Sequence, residues 1–211
     1  MEMLAKSEAA EAAKLVGLGH RPLTRTEFMK LGEQGFFDDE RVELLFGVVV
    51  EMSPTDPAHD ESVYEVARRL AEALGKHAKV RTQSSFAARE DSQPLPDVVV
   101  APNRAYWEDH PDHAFLIVEV ARSSVRKDRG PKKVLYGITS VDEYWIVNHL
   151  TSSVEVYRDH GPLGWKSFTT HARGETISPL RFPDVKMLVS DLLPPTSIAR
   201  KRKRTRKTRR T

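Results

Sequence analysis

Two acidic residues stand where acids are costly. The run FLIVEVA (115–121) is apolar except for Glu119, and PDVVVA (96–101) is apolar after Asp97. Nearly continuous apolar runs mark strands covered on both faces, where an ionised carboxylate is unfavourable unless something compensates it. The segment between the runs is polar, with Pro102 and Pro111 bracketing its turn, so an antiparallel hairpin is expected. If Ala101 pairs with Phe115, Asp97 falls directly opposite Glu119 on the same face, with Cβ atoms about 5 Å apart. A slip of one residue would break that pairing. Like charges so placed repel. Two resolutions stay open: a shared divalent cation, for which hard oxygen ligands suit magnesium or manganese, or a separate Arg or Lys partner for each acid.

Cation chemistry also needs a group that positions and activates water, usually a lysine or another acid. The strand position for one, two residues after Glu119, is Ala121. The following helix offers Lys132 and Lys133. Lys132 shares a face with Tyr136 at i, i+4, and Asp128 lies one turn before it. Lys133 reads as a solvated lysine.

The elements that must position these groups follow from periodicity and caps. Thr24 or Thr26 can cap a short helix running to about Gln34, with Phe28 and Leu31 on one side. RVELLFGVVVEMSP (41–54) reads as a strand pair joined at Phe46-Gly47. From about Ala58 to Leu74, Val63, Val66, Leu70 and Leu74 recur at helical spacing, and Gly75 stops the helix. Strands are expected near 80–88, 97–101 and 115–120. A helix near 129–139 would have Asp128 as cap and Pro131 in its first turn. EYWIVN (143–148) is another strand, and SSVEVYR and WKSFTTH form a closing meander. A mixed sheet with interleaved helices follows. Trp107, Trp145 and Trp165 are all expected to pack.

Composition bounds the function. The chain of 211 residues has no cysteine, which excludes disulfides, thiolate zinc sites and cysteine nucleophiles. No stretch reaches the roughly 18 apolar residues of a membrane span, and the N-terminus does not read as a signal peptide, so a cytoplasmic protein is expected. The net charge of +3 is misleading, because nine of the 33 Lys and Arg lie in RKRKRTRKTRRT (200–211); the remainder carries 24 basic against 30 acidic residues, about −6. Such a tail is expected to be disordered, and either makes weak, salt-sensitive contact with nucleic acid or is simply solvated. GxxxxGK[ST], GxGxxG, HExxH and G-x-S-x-G are all missing, and His110 and His113 read as surface residues.

At the acids and their neighbours the chain resembles the PD-(D/E)XK nuclease superfamily. More narrowly, it resembles a family of bacterial proteins commonly called Uma-two, regarded as restriction endonucleases. The likeness is carried by RVELLFGVVVEMSP, the PDVVV at 96–100, LIVEVARSSVRKDRGPKKVLY (116–136) and VDEYWIVN (141–148), and spans about residues 22–194. Four ordered blocks are far more specific than a PD or an E alone. The resemblance implies an α/β restriction-endonuclease-like core, a mixed β-sheet flanked by helices over 22–195, between a flexible leader (1–21) and the basic tail (196–211). It implies phosphodiester hydrolysis with Mg2+ (or Mn2+), the substrate being nucleic acid and DNA in the first instance. Asp97 and Glu119 match the family's acids and would be the metal ligands. Lys132 matches a lysine moved from the strand to a helix, which accounts for Ala121, and Glu43 matches a glutamate of the first strand block. His59 falls where the family often has a histidine; its other reading is an exposed residue at a helix start. A homodimer would follow by analogy with nucleases that cut two strands. The competing function is a catalytically inactive nuclease-fold module that binds nucleic acid or a protein partner.

Overall fold

The computed structural model describes residues 21–161 and 164–196; the expected leader, up to residue 20, and the basic stretch from 197 onward lie outside them. Helix α1 (Arg25–Glu33) is capped by Thr24 in a reciprocal capping box with Glu27. Strands β1 (Val42–Leu45) and β2 (Val48–Glu51) form a separate hairpin, with Glu43 opposite Val50. Its two turn residues, Phe46 and Gly47, both take positive φ (51° and 76°), as a two-residue hairpin of the twist-compatible kind requires. Gly47 is obligatory, because a Cβ there would collide with Pro22.

Helix α2 (Pro57–Leu74) starts at Asp56, whose carboxylate accepts the N–H of Ala58 and His59, and ends at Gly75 with φ 49°. A six-stranded sheet follows. Its order is β3 (Lys79–Thr82), β4 (Val98–Ala101), β5 (Leu116–Ala121), β6 (Tyr144–Asn148), β7 (Ser153–Gly161), β8 (Gly164–Ala172). Only β5 and β6 pair in parallel, as the crossover between them demands; the other pairs are antiparallel. Two short strands, β9 (Thr176–Ile177) and β10 (Met187–Leu188), complete the fold. The mixed sheet with flanking helices expected from the sequence is thus the observed architecture. Among the described residues no helix is long and apolar enough to cross a membrane.

The apolar runs of β4 and β5 are buried throughout because the sheet is covered on both faces. On one face Val63, Val66, Leu70 and Leu74 of α2 pack on Val98, Val100, Val118, Val120, Trp145 and Val147. At about 1.5–3 kcal/mol per side chain, those four contribute on the order of 6–12 kcal/mol. On the other face lie Val99, Ile117, Ala121, Ile146 and Tyr144, covered by Leu135 and Tyr136 and by Leu45 of the β1–β2 hairpin. Alternation along the strands puts Asp97 and Glu119 on this second face.

Three expectations need correction. The strand near 80–88 stops at Thr82, where Gln83 turns to φ 43°. The helix expected from Arg129 begins earlier and is broken. It comprises α3 (Val125–Lys127), a wide π-type turn (Asp128–Lys132) and α4 (Lys133–Gly137). Gly130, at φ −100° and ψ −110°, is not helical, and Pro131 follows it; proline has no N–H to give and disfavours helical geometry in the residue before it. Asp128 therefore lies inside this segment, not at its cap. Finally, Trp107 does not pack: it is 94% exposed on the β4–β5 connection, whereas Trp145 is in the core and Trp165 donates to the Lys133 carbonyl.

Candidate active site

The β4–β5 register pairs Val98 with Val118, Val99 with Ile117 and Val100 with Leu116. One further step along the same register brings Asp97 opposite Glu119, as the supposed pairing of Ala101 with Phe115 implied. Asp97 Oδ2 accepts the N–H of Val120 at 2.7 Å and lies 3.2 Å from His59 Nε2. His59 belongs to the first turn of α2, swung over the sheet by the Asp56 cap. Its side chain is only 13% exposed, so the reading of an exposed helix-start residue does not hold.

Glu119 is buried. Its Oε1 accepts from Lys132 Nζ at 2.8 Å and from the Tyr136 hydroxyl at 2.9 Å. The i, i+4 stripe of Lys132 and Tyr136 thus grips one oxygen. Glu43 reaches the same place from β1: Lys132 Nζ is 3.1 Å from its Oε2 and Lys127 Nζ 2.8 Å from its Oε1, while Leu95 N donates to Oε2. Asp97, Glu119, Lys132 and Glu43 are thereby gathered in one place. Lys133 is set apart from this cluster, half-buried with its ammonium 5.9 Å from the Tyr157 ring centre.

Two participants were not legible as such. Lys127 has no periodic relation to Glu43 in sequence, and only the fold brings them together. Asp128, read as a cap, is buried beside the acids, with Ser124 favouring the ionised form of its carboxyl. Its one sequence signal was the spacing Asp128, Lys132, Tyr136.

The electrostatics follow from crowding carboxylates in a dry place. Burial pushes the Glu119 carboxyl up to about 8 against the pull of Lys132, and the charges of Asp97, Asp128 and Glu43 add to the rise. Burial likewise raises Asp128 to about 6 against the pull of Lys132. Burial alone would lower the Lys132 ammonium, but Glu119, Glu43 and Asp128 hold it well above its ordinary value. For Glu43, burial is outweighed by Lys132 and Lys127, and its carboxyl is held low. Burial would lower the His59 imidazole too, yet its bond to Asp97 raises it.

A cavity of about 50 Å³ opens onto Asp97, Glu119, Asp128 and Lys132, with Arg41, Arg122 and Lys127 along its walls. One water needs about 10–15 Å³ of such space, so an ion with a water would fit. Among the described residues, no three His, Cys, Asp or Glu side chains already form a cage for a metal. The donor chemistry nonetheless suits a hard cation. All four acids offer carboxylate oxygens, and one of these, Asp128 Oδ2, is buried without a hydrogen-bond partner. Asp97, Glu119 and Asp128 all open onto this space, and Lys127 and Lys132 are both engaged by Glu43, so a divalent ion would meet the carboxylate oxygens that these two cations do not neutralise.

Comparison with known proteins bears on this arrangement. A family model described as "Uma2: Putative restriction endonuclease" matches residues 25–190. Among solved structures, the chain is similar to "a putative nuclease belonging to DUF820" from Anabaena variabilis ATCC 29413, with a TM-score of 0.66 at 15% identity, covering 81% of this chain and 97% of that one. At that identity the likeness shows a shared fold. No curated protein matches the sequence.

Proposed function

The chain belongs to the Uma2 family of restriction-endonuclease-like proteins, and from that premise we propose that it is a metal-dependent endonuclease hydrolysing phosphodiester bonds in DNA. The observation that carries the reading is the juxtaposition of Asp97 and Glu119 on one sheet face with the Lys132 ammonium 2.8 Å from Glu119. Asp97 and Glu119 are the residues that would hold Mg2+ or Mn2+. A divalent ion held by them would supply Lewis-acid polarisation of a scissile phosphate and a lowered pKa for a coordinated water.

The chain's own groups have separable tasks in this reading. Lys132, kept charged by Glu43, positions Glu119 and faces the negative charge that develops on the phosphate. Tyr136 fixes the same Glu119 oxygen. His59 and the Val120 N–H orient Asp97. With Lys132 arriving from the wide turn, Ala121 in the strand is no lesion. Arg41, on the cavity wall, offers a cation to the nucleic-acid backbone.

The test is conversion of supercoiled plasmid to nicked or linear DNA by the full chain with Mg2+, Mn2+ or EDTA, alongside Asp97→Ala and Glu119→Ala. Cleavage that needs the metal and is lost in both variants is expected. Cleavage surviving either substitution, or none with either metal on DNA, would refute the proposal. A parallel RNA substrate separates the two nucleic acids. Metal-independent binding of DNA without cleavage would instead favour the inactive binding module.

A further inference from the structure

We propose that Asp128 is a third carboxylate ligand of the cation held by Asp97 and Glu119, an inference that rests on the nuclease reading of this site. Three observations converge on it. Asp128 is 1% exposed, and its Oδ2 has no hydrogen-bond partner. A buried carboxylate oxygen left so is unfavourable unless a proton or a cation meets it. The residue also lines the cavity onto which Asp97 and Glu119 open. Finally, the local cations are engaged elsewhere: Lys127 lies on Glu43, and Lys132 bridges Glu43 and Glu119. Among the described residues, no Lys, Arg or His stands within ion-pair distance of Asp128.

The backbone is built to put it there. In an unbroken helix beginning at Arg129, as the sequence suggested, residue 128 would cap the first turn with its side chain turned to the backbone N–H groups. The wide turn at Gly130-Pro131 instead draws Asp128 into the interior and leaves its carbonyl to accept the Tyr144 hydroxyl at 3.2 Å. Turns of this kind commonly sit at functional sites. Among the described residues the carboxylates do not already form a cage, and joint coordination would require side-chain rotation within the cavity.

The probe is Mn2+ alone, added to the full chain and followed by calorimetric titration and by thermal unfolding, for the unmodified protein, Asp97→Ala and Asp128→Asn. Asp128→Asn is expected to weaken Mn2+ binding at least about tenfold, the lower end of the effect of losing even an outer-shell partner. In EDTA the same variant is expected to unfold at the same temperature as the unmodified chain or higher, since it loses an unpaired buried charge. Mn2+ should reverse that order. Unchanged affinity in Asp128→Asn, with binding abolished in Asp97→Ala, overturns this inference and leaves the nuclease reading standing. An equal loss of stability with and without Mn2+ marks a purely structural aspartate and overturns it as well. No Mn2+ binding by the unmodified chain removes both readings. Should Asp128→Asn not fold, a crystal of the unmodified chain soaked in Mn2+ decides, by whether Asp128 lies in the ion's first shell.

Discussion

Lys132→Met tests the electrostatic account of the site without reference to catalysis. Methionine keeps most of the volume and removes the charge. Lys132 is 2% exposed, 2.8 Å from Glu119 and 3.1 Å from Glu43. Removing one member of a buried ion pair costs about 3–5 kcal/mol. The lower end applies at pH 7, for two reasons. Glu43 retains Lys127, and Glu119, pushed up to about 8, escapes ionisation by keeping its proton. We therefore expect a loss of about 3 kcal/mol, or about 6–12 °C at about 2–4 °C per kcal/mol for a domain of this size. Without Lys132 the carboxyl of Glu119 rises further. Between the two values only the unmodified protein sheds the proton, so the penalty should grow above pH 8 by about 1.4 kcal/mol per pH unit. The assay is urea unfolding in EDTA from pH 6 to 9.5. In Lys132→Met combined with Glu119→Gln that growth should vanish. A penalty below about 1 kcal/mol at pH 7 that also stays flat to pH 9.5 would refute the account.

Three further outcomes are expected. In EDTA, unmodified protein should lose stability as pH rises from about 5 to 8. Folded Glu119 keeps a proton that the unfolded chain sheds near 4.5, the folded state binds more protons across that window, and each pH unit costs up to about 1.4 kcal/mol; His59, also raised, acts in the same direction. A denaturation midpoint that climbs over this range contradicts the assigned shifts. Trp107→Ala should change unfolding free energy by less than about 0.5 kcal/mol, since the ring is 94% exposed; a loss above about 1 kcal/mol in urea unfolding would show that the indole packs. Deleting residues 200–211, with their nine basic side chains, should flatten the slope of DNA affinity against salt, and an unchanged slope would leave that segment no part in binding.

What the sequence by itself determined is what short-range periodicity can carry. Uninterrupted apolar runs defined β4 and β5, and the period of two put Asp97 and Glu119 on one face. The register supposed for the two runs, Ala101 opposite Phe115, is the one the Val98–Val118, Val99–Ile117 and Val100–Leu116 pairs follow. The stripe Val63, Val66, Leu70, Leu74 defined α2, and the i, i+4 spacing of Lys132 and Tyr136 aimed both at a common target, which proved to be one oxygen of Glu119. The tertiary structure alone decided how many groups meet there. Lys127 on Glu43, His59 on Asp97 and Asp128 at the cavity are separated from their neighbours by turns and loops. Their geometry depends on non-local packing, which periodicity does not encode. The Gly130-Pro131 turn shows why most clearly: a reading based on caps placed Asp128 outside a helix, whereas a wide turn, followed by α4 with Leu135 and Tyr136 packed against the sheet, carries it inside. The conflict between Asp97 and Glu119 was therefore written in the sequence, and the company the two acids keep was settled by the fold.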